Sequence, residues 1–174
     1  MRWIRLILIL VSARFRSTLT INDESRIPFR VWITDIDVSI MNHAAMMTVM
    51  ETGRIDFMVR TGFFKLAQKN KWYFPSSNIN VQFFRPLKMF QSATLVTKVF
   101  NVDEKWIFIE QRVLRHNKIV ACCIVKSTVK KGREQLNVIE VLEQLNIGKP
   151  PSESQDLLER FEQTNVLING RLEL

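Results

Sequence analysis

Apolar side chains change their period once along this chain, and that change limits the fold more than anything else in it. Over residues 42–62 they recur every three to four positions, as on a helix, whereas beyond Pro75 they alternate, as on a half-buried strand. Asn42 suits the N-cap and Gly62 the stop, so the first pattern predicts one long helix. At about 100° per residue, Met46, Met50, Gly53 and Phe57 form its deepest stripe, with Thr48, Thr52 and Asp56 opposite. A glycine inside a helix costs up to about 1 kcal/mol relative to alanine. Its place in the apolar stripe implies that another backbone approaches closely, as when a helix lies tightly on a sheet.

Residues 26–36 are rich in β-branched and aromatic side chains, which predicts a strand ahead of the helix. Residues 78–83 alternate strictly, and Arg85-Pro86 ends that strand or marks an edge. Three further strand patterns cover 93–102, 105–116 and 118–131, with Asp103-Glu104 and Asn117 at hairpin positions between antiparallel neighbours. Residues 119–125 are apolar on both faces, which places that strand centrally. Helical spacing returns over 133–146, and Ser152 with Gln155 forms a capping box for a last helix over 153–163. The expectation is an α+β arrangement in which an antiparallel sheet curls around one central helix, flanked by extra N- and C-terminal helices. Its divisions are 1–25, an apolar helix and linker; 26–131, the sheet and central helix; and 132–174, C-terminal helices. An open sheet has edges to protect, so a dimer joined edge to edge is also expected.

A chain of 174 residues, 47% of them hydrophobic, suits a single core and excludes a disordered or fibrous protein. Cys122 and Cys123 are adjacent, which excludes a disulfide framework and suggests buried thiols in a reducing, cytoplasmic setting. With only two distant histidines, His43 and His116, no zinc spacing exists, and no metal is expected. The formal charge of +8, divided as +10 on residues 1–148 and −2 on the remainder, calls for an anionic partner. Nucleic acid is not favoured, because no helix-turn-helix, finger or aromatic RNA-binding motif occurs.

Residues 1–16 combine an apolar run with Arg2, Arg5, Arg14 and Arg16 and contain no acid. From Leu6 to Ala13 a helix rises only about 12 Å, against about 30 Å of hydrocarbon, so the run cannot span a bilayer. Three readings stay open: a helix packed on the domain, an amphipathic helix on a membrane surface, or a short signal sequence ending at Val11-Ser12-Ala13.

Two carboxylates precede the long helix, in Thr34-Asp35-Ile36-Asp37. Asp37 is at most about 17 Å of extended chain from the helix start, so it can fold back beside the helix N-terminus. Unpaired N–H groups and a partial charge of about +0.5 there suit a developing oxyanion. A carboxylate beside such a site can attack a carbonyl or activate water. The alternative is that Asp35 and Asp37 are turn and capping residues.

The stretch Asp35-Ile36-Asp37, Met41-Asn42-His43 and Glu51-Thr52-Gly53-Arg54, with Phe29-Arg30-Val31 before it and Phe84-Arg85-Pro86-Leu87 after it, resembles the signature of hotdog-fold acyl-CoA thioesterases of the 4-hydroxybenzoyl-CoA thioesterase type. The apolar N-terminal helix is similar to the branch typified by thioesterase superfamily member six. The resemblance covers residues 26–131. It implies a dimeric acyl-CoA or acyl-carrier thioester hydrolase, with Asp37 as the catalytic carboxylate, Asp35, Asn42 and His43 as the supporting turn, and Glu51 as the reserve candidate. Coenzyme A enters only as part of the substrate, and Arg85, Arg112, Arg115, Lys126, Lys130 and Lys131 are candidates for its phosphates. The chain departs from the pattern at Ile40, where the family has His, at His43, which replaces a second Asn, and at Met46, which replaces an aromatic residue. Those departures support a second reading, a non-catalytic acyl-CoA or lipid-binding module. The expected setting is cytoplasmic, with peripheral membrane contact through residues 1–16 open.

Overall fold

Asn42 starts the helix on which the rest of the molecule is arranged: its side chain accepts the Ala45 N–H at 2.6 Å and closes the first turn of α2, His43–Arg60. Gly62, with φ of 81°, turns the chain away at the other end. A computed structural model describes residues 2–145 and 158–163. Ahead of α2 come α1 (Arg2–Ala13), β1 (Ser25–Arg30), a 3-10 turn (Ile33–Asp35) and the two-residue strands β2 (Ile36–Asp37) and β3 (Ile40–Met41). After it come α3 (Phe63–Asn70), β4 (Ser76–Phe83), β5 (Ser92–Val102), β6 (Ile107–Arg115), β7 (Lys118–Ser127), β8 (Lys130–Lys131), β9 (Glu134–Gln135) and α4 (Val138–Glu143). The five long strands form one antiparallel sheet in the order β1-β5-β6-β7-β4. This is the expected α+β arrangement.

Register brings Leu95, Val113, Ala121, Cys123 and Val125 onto the sheet face beneath Met46, Val49 and Met50. Gly53 lies where contact is tightest. A Cβ there would sit 2.3 Å from Leu95 Cδ2 and 2.8 Å from Thr97 Oγ1, so sheet side chains approach rather than a backbone. Gln111 pins the same contact from β6: its Nε2 donates to the Met50 carbonyl (2.8 Å) and Thr97 Oγ1 (3.0 Å), while its Oε1 accepts from Arg54 (2.7 Å).

The opposite side of α2 is not exposed. Asp56 is 0% exposed, accepts from Ser25 Oγ at 2.6 Å, and pairs with Arg16 at 3.2 Å and Arg60 at 3.4 Å. Thr52 is buried too; α1 packs against α2, and Arg16, just beyond α1, reaches Asp56. Helical periodicity could not reveal this, since a buried carboxylate with three donors looks like a solvent-facing one in sequence.

Other differences follow from short-range detail. The strand pattern over 26–36 breaks after Arg30, and a 3-10 turn follows from Ile33. Helix α3 follows Gly62 directly and buries Phe63 and Ala67, and eight residues are too few for a clear period. β7 is interior to the sheet, as expected, between β6 and β4, although β6 is the middle strand; Ile119, at the hairpin end of β7, is exposed. The pattern over 118–131 ends at Ser127; Lys130–Lys131 then pairs with Glu134–Gln135, and helix begins only at Val138, capped by Asn137. The helix expected over 153–163 lies partly outside the described residues. Over 158–163 the chain is helical, and Phe161 meets Phe108 edge-on at 6.3 Å on the outer sheet face.

Burial pushes the Cys123 thiol up to about 11, and burial also raises Cys122. Both are therefore neutral thiols near pH 8, and a disulfide reagent should label the native protein slowly and both cysteines promptly in denaturant. Gly53→Ala should lower unfolding stability in urea by about 1–2 kcal/mol, because overpacking against Leu95 outweighs the helix-propensity gain. Asp56→Ala should cost about 3 kcal/mol in the same measurement, by leaving Arg60 and Ser25 without their acceptor.

Candidate active site

The segment between β2 and β3 is only Val38-Ser39, and the Ser39 N–H reaches the Asp37 carbonyl at 2.5 Å across a three-residue turn. Val38 has φ of 49°, an uncommon place for a β-branched side chain, and is fully exposed at the tip. Two neighbours hold the turn in place. The buried Asp35 carboxylate accepts the Trp32 N–H at 2.9 Å, and its carbonyl accepts the Asn42 N–H at 2.8 Å. On the other flank, Met41 N–H donates to Leu87 and Ile40 pairs with Lys88.

This arrangement carries Asp37 to the start of α2. Its Oδ1 stands 3.4 Å from Asn42 Nδ2, the amide of the N-cap side chain whose other atom holds Ala45. Asn42 occupies one N–H of the first turn and leaves those of His43 and Ala44, which a helix cannot satisfy internally. An exposed carboxylate therefore lies next to oriented donors and the positive end of an 18-residue helix.

Among the described residues, two cavities open on one side of α2. The first, about 290 Å³, opens at its N-terminus between Ile40, His43, Met46, Phe83 and Arg85. The His43 ring stacks on Phe83 at 4.3 Å, which ties the helix start to the end of β4. The second, about 180 Å³, lies deeper, with apolar walls that include Phe57, Phe63 and Phe74 and a polar side formed by Glu51, Arg54, Ser76 and Ser127. Burial lowers the Arg54 pKa from its ordinary value, with nearby Cys123 and Glu51 opposing that shift. His43, Met47, Glu51, Ile55 and Met58 recur at helical spacing, so both cavities follow one side of the helix.

The cationic candidates separate into groups. Arg85 leaves β4 and donates to the Ile119 carbonyl, and Arg115 ends β6 at the same end of the sheet, with its Nε buried and unpaired in hydrogen bonding. Lys130 and Lys131 lie beyond the opposite end of β7, near Tyr73. Arg112 on the outer face pairs with Glu24 at 2.7 Å and Glu110 at 3.7 Å. Lys126 pairs with Glu162 at 2.6 Å and lies over the Trp106 ring. Sequence reasoning passed over Lys88, which the pairing with Ile40 brings beside the Asp37 turn; nothing in a loop's composition marks it. Among the described residues no three His, Cys, Asp or Glu side chains converge as metal ligands.

A five-stranded antiparallel sheet wrapped on one central helix is the arrangement of a hotdog fold. A family model described as the Thioesterase-like superfamily matches residues 31–160, and the chain belongs to that family. A probable thioesterase of Saccharomyces cerevisiae is 29% identical over 80 residues, 45% of this chain and 35% of the yeast protein; the chain thus spans about a third of that relative's length. Among solved structures, a probable thioesterase from Bartonella henselae superposes with a TM-score of 0.61 at 22% identity, covering 66% of this chain and 98% of that one. A hypothetical protein from Staphylococcus aureus, solved in complex with CoA, superposes with a TM-score of 0.65 at 12% identity, covering 80% and 97%. At these identities the likeness is one of fold.

Asn42→Ala removes the N-cap and the amide facing Asp37 together. Stability should fall by about 1 kcal/mol in urea unfolding. The conservative Asn42→Asp should restore the cap without restoring a donor to Asp37.

Proposed function

We propose that this chain hydrolyses acyl-CoA thioesters, with Asp37 as nucleophile or general base. The observation that carries the reading is the exposed Asp37 carboxylate held 3.4 Å from the Asn42 amide at the N-terminus of α2. Family membership and the thioesterases among its fold relatives support the reaction class. As nucleophile, Asp37 forms a C–O bond to the thioester carbonyl carbon, the C–S bond breaks to release CoA thiolate, and water then cleaves the anhydride. As base, it takes a proton from the attacking water, and no covalent intermediate forms. In either route the carbonyl oxygen gains negative charge where the first-turn N–H groups can stabilise it. Glu51, in the deeper cavity, is the reserve carboxylate.

The pantetheine arm and phosphates would then run toward Arg85, Lys88 and Arg115, which lie at the Asp37 end of the sheet. Arg112 and Lys126, already ion-paired, are less suited to that role. The S. aureus neighbour was solved with CoA, which is consistent with a carrier-binding surface on this fold. The edge strand β4 exposes Ile79 and Phe83, and a second copy joined there would cover both and close the cleft beside α2. The two free cysteines suit a reducing, cytoplasmic setting.

The departures from the family pattern favour one competitor, a module that binds acyl-CoA without cleaving it, since Ile40 and His43 stand where relatives of that type carry His and Asn. Steady-state assays over a panel of acyl-CoAs separate the two. Asp37→Asn should lower kcat by at least about 100-fold with KM little changed, whereas Glu51→Gln should cost less than about tenfold. Equal, slow CoA release by wild type and Asp37→Asn, with acyl-CoA binding intact in both, would select the binding module. For the assembly, light scattering should give a dimer mass, and Ile79→Lys should shift it toward monomer.

A further inference from the structure

The outward side of α1 is unusual for a helix docked on a domain. Its inward side is accounted for: Ala13 is buried, and Arg16, just beyond the helix, reaches the buried Asp56 while Arg60 holds the Ser17 carbonyl at 2.9 Å. On the outward side Ile7, Leu8 and Val11 fall on one stripe, with Phe15 in the turn just past the helix, and these four are 59%, 61%, 53% and 86% exposed. That stripe borders an open groove of about 530 Å³ between α1 and the Val59, Phe64 and Gln68 side chains of α2 and α3. The apolar surface is therefore continuous over two helices, larger than scattered exposed residues would produce.

Its electrostatic surroundings identify the partner. Arg14 lines the groove, and Lys65 and Lys69 are exposed on α3 beside Phe64 and Gln68. No acidic residue occurs in residues 1–22 or in 57–102, the segments that supply α1 and α3. A cationic rim around an apolar stripe matches an anionic bilayer surface, where the stripe enters the boundary of headgroups and chains and the cations meet phosphates. A second copy fits poorly, because a two-fold contact would set this rim against its own like charges. Spanning is excluded for the described helices, none of which is long and apolar enough to cross a membrane.

We propose that the α1–α3 face is a docking surface for anionic lipid bilayers, presented by a helix already locked in place. Because α1 packs on α2 with Ala13 buried, and the Arg16–Asp56 and Arg60–Ser17 contacts anchor the segment just after it, docking needs no coupled folding, and the ordering cost that usually weakens such helices is small. This goes beyond thioester hydrolysis and does not depend on it: vesicle binding reads the face whether or not the protein cleaves acyl-CoA.

Flotation of the full chain with vesicles tests it, comparing phosphatidylcholine alone with phosphatidylcholine mixed with phosphatidylglycerol. The wild type should float with the anionic vesicles at low salt, lose most of that binding as salt rises, and ignore the neutral ones. Val11→Asp with Leu8→Asp should abolish flotation, and Lys65→Gln with Lys69→Gln should weaken it by about fivefold per charge. Circular dichroism melts of these variants should match wild type, since the substituted side chains face solvent. The proposal is overturned if wild type fails to float with anionic vesicles at low salt, or if Val11→Asp with Leu8→Asp floats as well as wild type. It is equally overturned if those substitutions dissociate a lipid-free oligomer, which would make the face a contact between copies.

Discussion

The absence of one side chain, at Gly53, sets the distance between α2 and the sheet. With Leu95 and Thr97 filling the space a Cβ would need, the helix sits low enough for Gln111 to reach the Met50 carbonyl and the Arg54 guanidinium at once. A helix one methyl group higher would leave that amide short of partners in a region where unmet polar groups are costly. The low seat also decides what surrounds the cavities. Arg54 is drawn into the interior instead of extending to solvent, and the space left beside it, under β4, becomes the inner cavity with Glu51 on its wall.

The same helix organises both ends of the molecule through its polar residues. Its N-terminus receives the Asp35–Asn42 backbone contact, which brings the strained Val38 turn and Asp37 to the first-turn donors. Its C-terminal half receives Arg16 at Asp56, which fixes where the N-terminal segment runs. Helix α2 is thus buried on nearly all sides, and its ends are where the chain enters and leaves its environment.

Much of this was legible in residue order. The switch of period marked the central helix and the antiparallel strands, Asn42 and Gly62 marked the helix ends, and Asp37 could be placed near the helix start from chain length alone. What stayed hidden depended on partners distant in sequence. Asp56 could be placed only opposite the apolar stripe, because the donors that bury it come from Ser25 and Arg16, and Gly53 read as a backbone contact because nothing local says which side chains of β5 lie against it. The cationic candidates were the least legible: Arg112 and Lys126 are chemically suited to phosphate, yet register sets one beside Glu110 and Glu24, and the 158–163 turn sets Glu162 on the other. Local chemistry names a residue's capacity, and tertiary placement determines whether that capacity is already used.

The acidic residues carry this argument furthest. Between residues 25 and 102 the chain has four carboxylates, Asp35, Asp37, Glu51 and Asp56, all on α2 or within the turn that precedes it. Two of them hold the structure: Asp35 fastens the turn through Trp32, and Asp56 fastens α1 through Arg16. The other two lie elsewhere along it: Asp37 beside the N-cap Asn42, and Glu51 on the wall of the inner cavity. Asp37 is exposed beside the N-cap amide of α2, so its carboxylate stands next to the positive end of that helix. The structural pair brackets that placement: Asp35 accepts the Trp32 and Asn42 N–H groups around the turn that carries Asp37, and Asp56 ties the segment after α1 to the same helix.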